Sequence, residues 1–585
     1  MKHLLKTAMA LAVSLPLSAQ ATDFVITNDA DFALGTLQSL NFDAPNSDQL
    51  QISQTLSTFP VLWIANAGED TVSRIDTDND CETARYETWF NAGITGAFGG
   101  PAPSRTAVDA DGNVFVANRH FDRKNVAVLK ILLEGGIDRN GNGIIDTSAD
   151  TNGDCVIQPG EMIPLVDTNG NGVLEDSELA DERVAFIEQI PNTTGHLGRS
   201  LCIDNEGDIW AGTFSPGNYY ELSPVDGTVM NGPISTGTSN YGCVVDSDGI
   251  LFGASLGGSM PIVDTNTKTL LGVRNHGLDY GIAAGNGKIY KGRAGSPYLI
   301  YNPNSGPGEP DGNPVTGTFS TPPVSASNSL GIGVDGNGDV IQGNTIVRKY
   351  DGDTDTLIWE TFNPSGNSNT RGIIADSSNN IWAVNLNANN VTKFRGTDGQ
   401  FLNTVPVGNG PYTYSDATGI GFQIANPNGT FIRVVDGGAA DTEWDVVRWN
   451  TEPEGSVPAG GSISVEARSA NTVGGLSLEA YAPVSNGATG LGLMGQFIQL
   501  RAVLTPGTDQ TSPVLSDIVV SSVSVQTCDQ DGDGDVDRND IGIISAARNT
   551  TALPGDPRDI DGNGIIDVND ARQCAVQCTR SRCAP

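Results

Sequence analysis

The sequence predicts a mainly β, multidomain protein: a seven-bladed β-propeller, then a β-sandwich, then a small α-helical module. Three observations predict this architecture: an Asp-x-x-Gly phrase that recurs through the first two thirds of the chain, a following segment of alternating apolar and polar residues, and an Asp-rich C-terminal segment. The composition agrees, because 72 Gly and only 17% charged residues are typical of many short strands joined by tight turns.

The recurring phrase defines the predicted blades. It consists of an apolar residue, Asp, two turn residues and Gly, with an aromatic or apolar anchor six residues after the Asp. Two short strands joined by a tight turn explain it, since the turn Gly is free to take a positive φ. After the first gap the copies are spaced by about 40 residues, as the four-stranded blades of a propeller are. They lie at Asp109, Asp204, Asp246, Asp335 and Asp376, and a weaker copy has Ala284 in the Asp position.

The two ends of the repeat predict how the ring closes. Residues 61–66 match the second strand of the phrase without a first strand before it, and residues 414–421 supply a first strand at the other end. A chain that completes its first blade with its last strand leaves no exposed sheet edge. The sequence therefore predicts a seven-bladed propeller over residues 45–422, after an N-terminal lead-in over residues 22–44.

Phrases such as Asp-Gly-Asn-Val-Phe-Val-Ala-Asn at residues 111–118 resemble the NHL-repeat and streptogramin-lyase-like propellers. The resemblance covers most of the predicted propeller and implies its fold. Streptogramin lyases carry out β-elimination with His and Glu residues and a divalent cation, and no motif of this chain matches those residues one for one. A lyase activity is therefore an alternative that the resemblance raises, because a fold does not by itself fix a function.

The segment over residues 423–525 alternates as the strands of a β-sandwich do, with turn residues between the strands. It is similar to the small jelly-roll modules that follow propellers in other exported bacterial proteins. Trp444 and Trp449 stand on one of these strands. They are either core and rim residues or a platform for a sugar, and we expect core packing.

Three acidic loops lie end to end within a predicted insertion, residues 134–183, between the third and fourth strands of the second blade. Calcium takes six to eight oxygen ligands, which a twelve-residue loop supplies from positions 1, 3, 5, 7, 9 and 12, with Gly at position 6. Position 12 of the first loop is Ala149, where we expect Asp150 to lend an oxygen instead, and in the second loop Cys155 replaces the Gly. The loops leave no room for EF-hand helices between the first two and resemble thrombospondin type 3 calcium strings. The predicted ligands are Asp138, Asn140, Asn142, Asp146, Asp150, Asn152, Asp154, Gln158, Glu161, Asp167, Asn169, Asn171, Glu175 and Glu178.

Two further loops, which begin at Asp529 and Asp559, each run into a helix-like segment, residues 539–549 and 568–579. Both end in Asp where sensor EF-hands have Glu. For all five loops the alternative interpretation is a solvated Asp/Gly-rich turn. The predicted ligands of this pair are Asp529, Asp531, Asp533, Asp537, Asp540, Asp559, Asp561, Asn563, Asp567 and Asp570.

The C-terminal pair of loops resembles a type I dockerin module, which places a domain boundary near residue 526 and a helical module over residues 526–585. The resemblance implies a cohesin-like partner, or another cell-surface protein, as the binding partner of this end. In the family the contacts come from positions 10 and 11 of each loop, which here are Arg538, Asn539, Val568 and Asn569. A cysteine-rich tail departs from the family pattern, so an intramolecular or other docking role stays an alternative.

The N-terminus has the features of an export signal. Lys2 and Lys6 flank the start, residues 8–17 are apolar, and Ala19-Gln20-Ala21 is a small-x-small cleavage site. We expect a signal peptide over residues 1–21 and a secreted, extracellular or cell-surface protein, with the periplasm as an alternative location. The apolar stretch is shorter than the roughly 18 residues that a membrane span needs, and no later segment approaches that length.

Charge and cysteine content narrow the classes of partner. A formal net charge of −37 argues against nucleic acid and anionic membranes, since both would be repelled, and it suits a chain that binds cations. Eight cysteines, an even number in an exported chain, favour disulfides. Cys528 is expected to pair with one of the three cysteines of the tail, and the other pairings stay open.

Propellers bind ligands on the face that carries the loops into each first strand and the loops between second and third strands. His120, His196 and His276 fall in such loops, and they are either candidates for catalysis or ordinary polar loop residues. The same face is predicted to carry the binding residues Arg105, Arg119, Arg199, Arg371, Tyr241 and Tyr280.

The sequence favours a calcium-binding scaffold or binding protein with about five structural Ca²⁺ sites. Its propeller face would recognise a glycan, a peptide or a protein, and its C-terminal module would attach it to a partner. The alternative is a secreted propeller enzyme, a lyase or hydrolase that acts from the histidine-bearing face.

Overall fold

The computed structural model describes residues 22–53, 59–93, 96–277, 279–293, 296–303, 313–323, 330–365, 369–507, 511–523, 528–533, 535–552, 556–560 and 563–585. The predicted signal peptide lies outside the described residues, and so do Gly534 and Asp561 of the two C-terminal loops. Among the described residues no helix is long and apolar enough to cross a membrane.

Short elements precede the propeller. They are strand β1 (Thr22–Ile26), helix α1 (Asp29–Phe32) and strands β2 (Thr36–Gln38), β3 (Leu40–Asn41) and β4 (Leu50–Ile52).

Antiparallel sheets then follow one another along the chain, each a meander in which strands adjacent in sequence are adjacent in the sheet. The first contains β5 (Val61–Asn66), β6 (Thr71–Asp76) and β7 (Cys81–Glu87). The sheets after it have four strands each. In chain order these strands are β8 (Pro103–Val108), β9 (Val114–Asn118), β10 (Ala127–Ile131), β11 (Val184–Gln189), β12 (Gly198–Ile203), β13 (Ile209–Thr213), β14 (Asn218–Leu222), β15 (Val229–Ser235), β16 (Gly242–Val245), β17 (Ile250–Ala254), β18 (Ser259–Asp264), β19 (Thr269–Asn275), β20 (Ile282–Gly285), β21 (Lys288–Lys291), β22 (Leu299–Asn302), β23 (Thr318–Ser320), β24 (Gly331–Val334), β25 (Val340–Gly343), β26 (Ile346–Tyr350), β27 (Leu357–Phe362), β28 (Thr370–Ala375), β29 (Ile381–Asn385), β30 (Asn390–Phe394) and β31 (Phe401–Pro406).

These sheets form a β-propeller. The first strand of each four-stranded sheet contacts the first strand of the next, from β8 through β12, β16, β20 and β24 to β28, so these strands surround a common axis. The two ends of the series also meet, because Leu62 and Ile64 of β5 pack against Trp382 and Val384 of β29 in one buried cluster. Strands such as β9 are buried at every residue, since a neighbouring sheet covers each face.

The Asp of the recurring phrase organises the turn and holds the aromatic anchor. The Asp204 carboxylate accepts the backbone N–H of Asp208 (2.9 Å) and the indole N–H of Trp210 (2.8 Å), while Gly207 takes a φ of +96° in the turn. Trp382 donates to Asp376 over the same distance, 2.8 Å. The phrase therefore contains a turn and its core anchor as one hydrogen-bonded unit.

The segment at residues 411–417 completes the first sheet. Its backbone runs beside β5, where Trp63 N–H donates to Ala417 O (3.1 Å) and Tyr412 N–H donates to Ala65 O (2.8 Å). The predicted closing strand at 414–421 is therefore correct only in its first half. After Gly419, at a φ of +97°, the chain turns into helix α2 (Ile420–Ala425), which contacts the inner strands at the opposite end of the axis.

The predicted insertion connects β10 and β11. It is irregular apart from two 3-10 turns, Pro159–Glu161 and Asp176–Glu178. Its buried leucines join the cluster of the first two sheets, and a Cys81–Cys155 disulfide fixes it to β7. The insertion thereby lies against two neighbouring sheets and extends from the end of β10 towards the first-strand end, where Leu165 N–H donates to Glu87 at the end of β7 and Lys124 donates to Gly172 O (3.3 Å).

The β-sandwich contains the remaining long strands and a 3-10 turn, Gly474–Leu478. Its sheets have the orders β1-β39-β33-β36 and β2-β32-β37-β34-β35, with β3-β4-β38 beside them. Strand β1 pairs with β39 and β2 pairs with β32, so the residues that the sequence predicts as a lead-in contribute strands to the sheets of this domain. Trp444 is fully buried and donates to Gly495 O (2.9 Å), as expected of a core residue. The strands are β32 (Gly429–Asp436), β33 (Glu443–Trp449), β34 (Ser462–Ala470), β35 (Ala482–Val484), β36 (Leu493–Met494), β37 (Phe497–Thr505), β38 (Val514–Leu515) and β39 (Ile518–Val523).

The C-terminal module is built on two helices, α3 (Arg538–Ala546) and α4 (Val568–Ala575), which contact each other. Strands β40 (Thr550–Thr551) and β41 (Ile565–Ile566) pair between them, and a 3-10 turn, Ser581–Cys583, follows. Cys528 pairs with Cys574, which confirms the predicted tail partner. The other disulfides are Cys202–Cys243 and Cys578–Cys583.

Candidate functional site

The predicted binding-face residues lie around one end of the propeller axis. Arg105, Arg199 and Arg371 are near the starts of the innermost strands β8, β12 and β28, and Tyr241 and Tyr280 come just before β16 and β20. Because the innermost strands all begin at the same end of the axis, these side chains converge there. Arg119 joins them from the end of β9.

A chain of hydrogen bonds crosses this end of the axis. Arg199 Nη1 donates to the Tyr241 hydroxyl (3.1 Å), and the Tyr241 and Tyr412 hydroxyls are 3.2 Å apart. Tyr412 also bonds the Tyr280 hydroxyl, which in turn accepts from Arg371. The result is a continuous network from β12 across to β28, with Tyr412 at its centre.

The arginines also lie over aromatic rings. The Arg105 guanidinium carbon is 3.5 Å from the centroid of the Tyr414 ring, and that of Arg119 is 4.6 Å from the Tyr412 ring. The Arg371 guanidinium carbon is 5.2 Å from the centroid of the Tyr412 ring. Cation–π attraction of this kind strengthens when the groups are removed from water.

Among the described residues, none of these four arginines pairs with a carboxylate, although the chain carries 69 acidic residues. Arg105 and Arg119 are fully buried, and backbone carbonyls of Tyr241, Ala102 and Ala97 accept from them. Four buried polar atoms of the cluster have no hydrogen-bond partner. They are Arg119 Nη1, Arg199 Nε, Arg371 Nε and the Tyr414 hydroxyl.

The pKa values of two groups reflect this crowding of cations. Burial, followed by the neighbouring Arg199 cation, lowers the pKa of Arg119 to about 10. Burial alone would raise the pKa of Tyr412, but the Arg371 and Arg119 cations and the hydroxyls of Tyr241 and Tyr280 together lower it to about 7. The phenol at the centre of the network therefore ionises near neutral pH.

The three candidate histidines lie on this face, each in different surroundings. The His120 ring is buried against Trp89, with centroids 4.8 Å apart, and its Nδ1 is 3.0 Å from Asp122. His276 Nε2 is 3.5 Å from Asp279, and burial, then the Lys291 and Arg293 cations, lower the pKa of His276 to about 3. His196 is half-buried. In the described part of the chain no recorded contact joins these rings into one constellation.

The predicted calcium loops share one backbone pattern. In each loop the first carboxylate accepts N–H groups from the following turn. The residue at position 6 donates in four loops, Gly143 to Asp138 (2.8 Å), Cys155 to Asp150 (2.9 Å), Gly172 to Asp167 (2.8 Å) and Gly564 to Asp559 (2.8 Å), and Gly532 at position 4 donates to Asp529 (2.7 Å). Cys155 takes a φ of +64°, the left-handed conformation that Gly143, Gly172 and Gly564 take at the same position of their loops.

A second carboxylate closes each loop by accepting N–H groups from positions 2 and 9. Glu161, Glu178, Asp540 and Asp570 do this from position 12 of their own loops. In the first loop Glu182 takes the same role, since it accepts from Arg139 (2.7 Å) and Asp146 (2.9 Å). Both Asp150 oxygens accept amides of the second loop, and the expectation that Asp150 lends an oxygen to the first loop stays a prediction.

The remaining predicted ligands converge within their loops. Asn140 and Asn142 both donate to Asp146, Asn152 to Gln158, Gln158 to Asp154, and Asn169 and Asn171 to Glu175. In the C-terminal module carboxylate oxygens of Asp529, Asp531 and Asp540 lie within 4.8 Å of one another. The side chains of Asp533 and Asn563 accept backbone N–H groups of their turns, and Asp537 and Asp567 cap α3 and α4. Asp561 lies outside the described residues.

Sequence inspection missed Tyr412, Tyr414 and Glu182. Tyr414 begins the segment recognised only as a closing strand, and Tyr412 lies two residues before it, so period-two alternation extended backwards could have placed both on the axis. Glu182 follows its loop after two complete further loops, so no local spacing connects it to the site.

Comparisons with known proteins identify no family. No family model matches the chain, and no curated protein matches it. Among solved structures it is similar to virginiamycin B lyase from Staphylococcus aureus, with 12% identity, 56% of this chain and 90% of that chain covered, and a TM-score of 0.37. It is also similar to the Swd1 β-propeller domain of Myceliophteria thermophila, with 8% identity, 62% and 97% coverage and a TM-score of 0.38. The RRP9 WD40 repeats match with 9% identity, 56% and 86% coverage and a TM-score of 0.38.

Proposed function

We propose that this chain is an exported, calcium-stabilised binding and scaffold protein. In this proposal seven blades form one closed propeller, whose first-strand face recognises a ligand, and the dockerin-like C-terminal module attaches the protein to a partner. The observation that carries the proposal is the same two-carboxylate cradle in all five acidic loops, each holding the amides that shape an oxygen-lined turn.

The residues present fit calcium. Carboxylate and amide oxygens are the ligands that Ca²⁺ prefers, and each loop offers several of them on a turn fixed by its own backbone. The ion would supply positive charge that offsets the repulsion among these carboxylates, and binding would be coupled to folding of the loops. Glu182 would serve the first loop in place of a ligand from position 12.

The calcium loops of the insertion support a rigid recognition face. They lie across two neighbouring sheets, where Asp150 N–H donates to Thr83 O (2.9 Å) and Leu165 N–H donates to Glu87 (2.8 Å), in addition to the Cys81–Cys155 disulfide. Among the described residues no hydrogen bond or ion pair joins the insertion to the arginines and tyrosines of the binding face, so a clasp on these two sheets leaves those side chains free for a ligand.

The C-terminal module has an exposed surface suited to docking. The side chains at the starts of α3 and α4, which the dockerin resemblance assigns to partner contacts, are exposed, and they are Arg538, Asn539, Val568 and Asn569. A cohesin-like or other cell-surface protein is the partner that this arrangement favours.

Calcium titration of the full chain, followed by thermal melting, tests the central part of the proposal. Calcium should raise the melting temperature, and a chelator should reverse the rise, because an ion that binds only the folded loops stabilises them by mass action. Magnesium at the same ionic strength is the control for charge screening. A melting temperature that calcium does not change would refute the proposal.

Docking is tested separately by comparing the full chain with a chain truncated after residue 525, both in calcium, for retention on the surface of the producing cells. Loss of retention on truncation supports attachment through residues 526–585, whereas equal retention contradicts it.

A further inference from the structure

We infer that the arginine–tyrosine cluster at the end of the propeller axis is a binding site for an oxyanion, the carboxylate or sulfate group of a ligand that approaches along the axis. The cluster comprises Arg105, Arg119, Arg199, Arg371, Tyr241, Tyr280, Tyr412 and Tyr414. This inference deepens the proposed binding role of the same face and rests on it.

The first support is an uncompensated charge. Four guanidinium groups gather at one site, two of them fully buried, and no described carboxylate lies within ion-pair distance of any of them. A buried cation without an anion is costly, and real proteins pair such groups or neutralise them. The chain has a net charge of −37 and therefore many carboxylates that could have served as ion-pair partners for these arginines. Their exclusion leaves four guanidinium groups with at most one internal anion, the Tyr412 phenolate, so the remaining charge can be balanced by a ligand.

The second support is the set of unpaired donors. Arg119 is fully buried, yet its Nη1 has no hydrogen-bond partner, and the Nε atoms of Arg199 and Arg371 and the hydroxyl of Tyr414 are buried without partners as well. Unpaired buried polar atoms are rare in native structures. The unpaired guanidinium nitrogens belong to three different sheets and lie in one cluster. An acceptor with several oxygens, such as a carboxylate or a sulfate, could accept hydrogen bonds from more than one of them.

The third support is an open side of the cluster. Arg371 and Tyr280 are partly exposed, whereas Arg105 and Arg119 lie deeper. Phe98, which is 57% exposed, lies at the rim with its ring 5.8 Å from Tyr412. A ligand would thus meet an aromatic rim first and the guanidinium groups beneath it, an arrangement suited to an anionic group carried on a ring or a short apolar body.

The alternative is that the arginines only hold the blades together. In this alternative, cation–π contacts with the tyrosine rings and hydrogen bonds to backbone carbonyls satisfy part of the guanidinium groups. They do not use the unpaired nitrogens, and they supply no negative charge. Anion binding and a purely structural role therefore make opposite predictions for added ligand.

Binding is measured by calorimetry on the full chain in calcium, with three probes: sodium glucuronate, sodium sulfate and neutral glucose. The variants are Arg371→Gln and Arg199→Gln, and the matched control is Arg395→Gln, an exposed arginine at the opposite end of the axis that pairs with Asp398. We expect glucuronate or sulfate to bind and glucose not to bind. Each cluster variant should weaken binding roughly tenfold or more, while Arg395→Gln leaves it unchanged.

Binding of glucuronate alone assigns a carboxylate ligand, binding of sulfate alone assigns a sulfated ligand, and binding of both supports the general oxyanion site. Thermal melting checks that each variant folds; if Arg199→Gln does not, Tyr280→Phe removes one donor at the partly exposed side and keeps the test available. Failure of both anions to bind, or equal binding by glucose, overturns the inference. If calcium still stabilises the same protein, that result refutes the anion site alone and leaves the calcium proposal standing.

Discussion

Glu182 provides the sharpest test of the loop architecture, since it closes the first acidic loop from outside that loop. Its buried carboxylate accepts the backbone N–H groups of Arg139 (2.7 Å), Asn140 (3.2 Å) and Asp146 (2.9 Å). Glu182→Gln keeps the shape but removes the charge and one acceptor oxygen. A hydrogen bond to a charged group contributes about 1.5–3 kcal/mol, so the free energy of opening this loop should fall by about that amount.

Hydrogen exchange of the full chain, followed by mass spectrometry, measures this change locally, which matters because a multidomain chain does not unfold in two states. Amides of the first loop should exchange roughly ten- to hundredfold faster in Glu182→Gln. The matched control is Glu134→Gln, whose side chain is 81% exposed and 3.9 Å from Arg183. Wild-type exchange in Glu182→Gln, or equal acceleration in the control, would refute the role of Glu182 as the closing carboxylate.

Three further perturbations have defined outcomes. Cys155→Ser removes the disulfide to Cys81, which spans 74 residues, and chain entropy predicts that the free energy of unfolding falls by about 4 kcal/mol. Cys583→Ser removes a disulfide that spans 5 residues and should lower it by about 2 kcal/mol. Equal losses in chemical denaturation would contradict this. Tyr412 should titrate by ultraviolet absorbance at a pH of about 7, and Tyr412→Phe should remove that transition. Because its pKa is lower in the fold than in the unfolded chain, ionisation of Tyr412 stabilises the fold increasingly as the pH rises from about 7 towards 10. The phenolate would compete with a bound oxyanion, so the affinity for anions should fall over the same pH range. His276 has a pKa of about 3 in the fold and an ordinary pKa of about 6.5 in the unfolded chain. Between these pH values only the unfolded chain binds a proton at His276, so the stability of the fold should fall as the pH falls from about 6.5. His276→Gln should reduce the difference in melting temperature between pH values of about 4 and about 7, and an unchanged difference would show that other groups control it.

Much of the fold could be predicted because its signals are local and repeated. The Asp of each phrase bonds the turn and, at Asp204 and Asp376, the indole six residues later, so one short pattern specifies a turn, two strands and a core anchor. The acidic loops are equally local, since position 1 and, in four of the loops, position 12 of one twelve-residue segment hold its amides. Arg105, Arg199 and Arg371 were found for the same reason, because each lies near the start of the first strand of its sheet.

The misses all involve partners that are distant in sequence. Strand β1 pairs with β39, and nothing in the composition of residues 22–26 distinguishes a lead-in from a sheet strand. The helix after Gly419 forms where the inner strands end, so its apolar residues meet a surface that only the closed ring provides. No spacing rule connects Glu182 with the loop that it closes.

The sequence by itself determined the repeated β architecture, the acidic loops, the cysteine content and the set of arginines and tyrosines on one face, since each follows from residue types at short, regular spacing. Only the tertiary structure decided that the four arginines gather without a carboxylate, that Tyr412 joins Tyr241 to Tyr280, and that Glu182 completes the first loop. The physical reason is that hydrogen bonding and charge balance depend on distances through space. Those distances are set when the ring closes and brings residues hundreds of positions apart into contact.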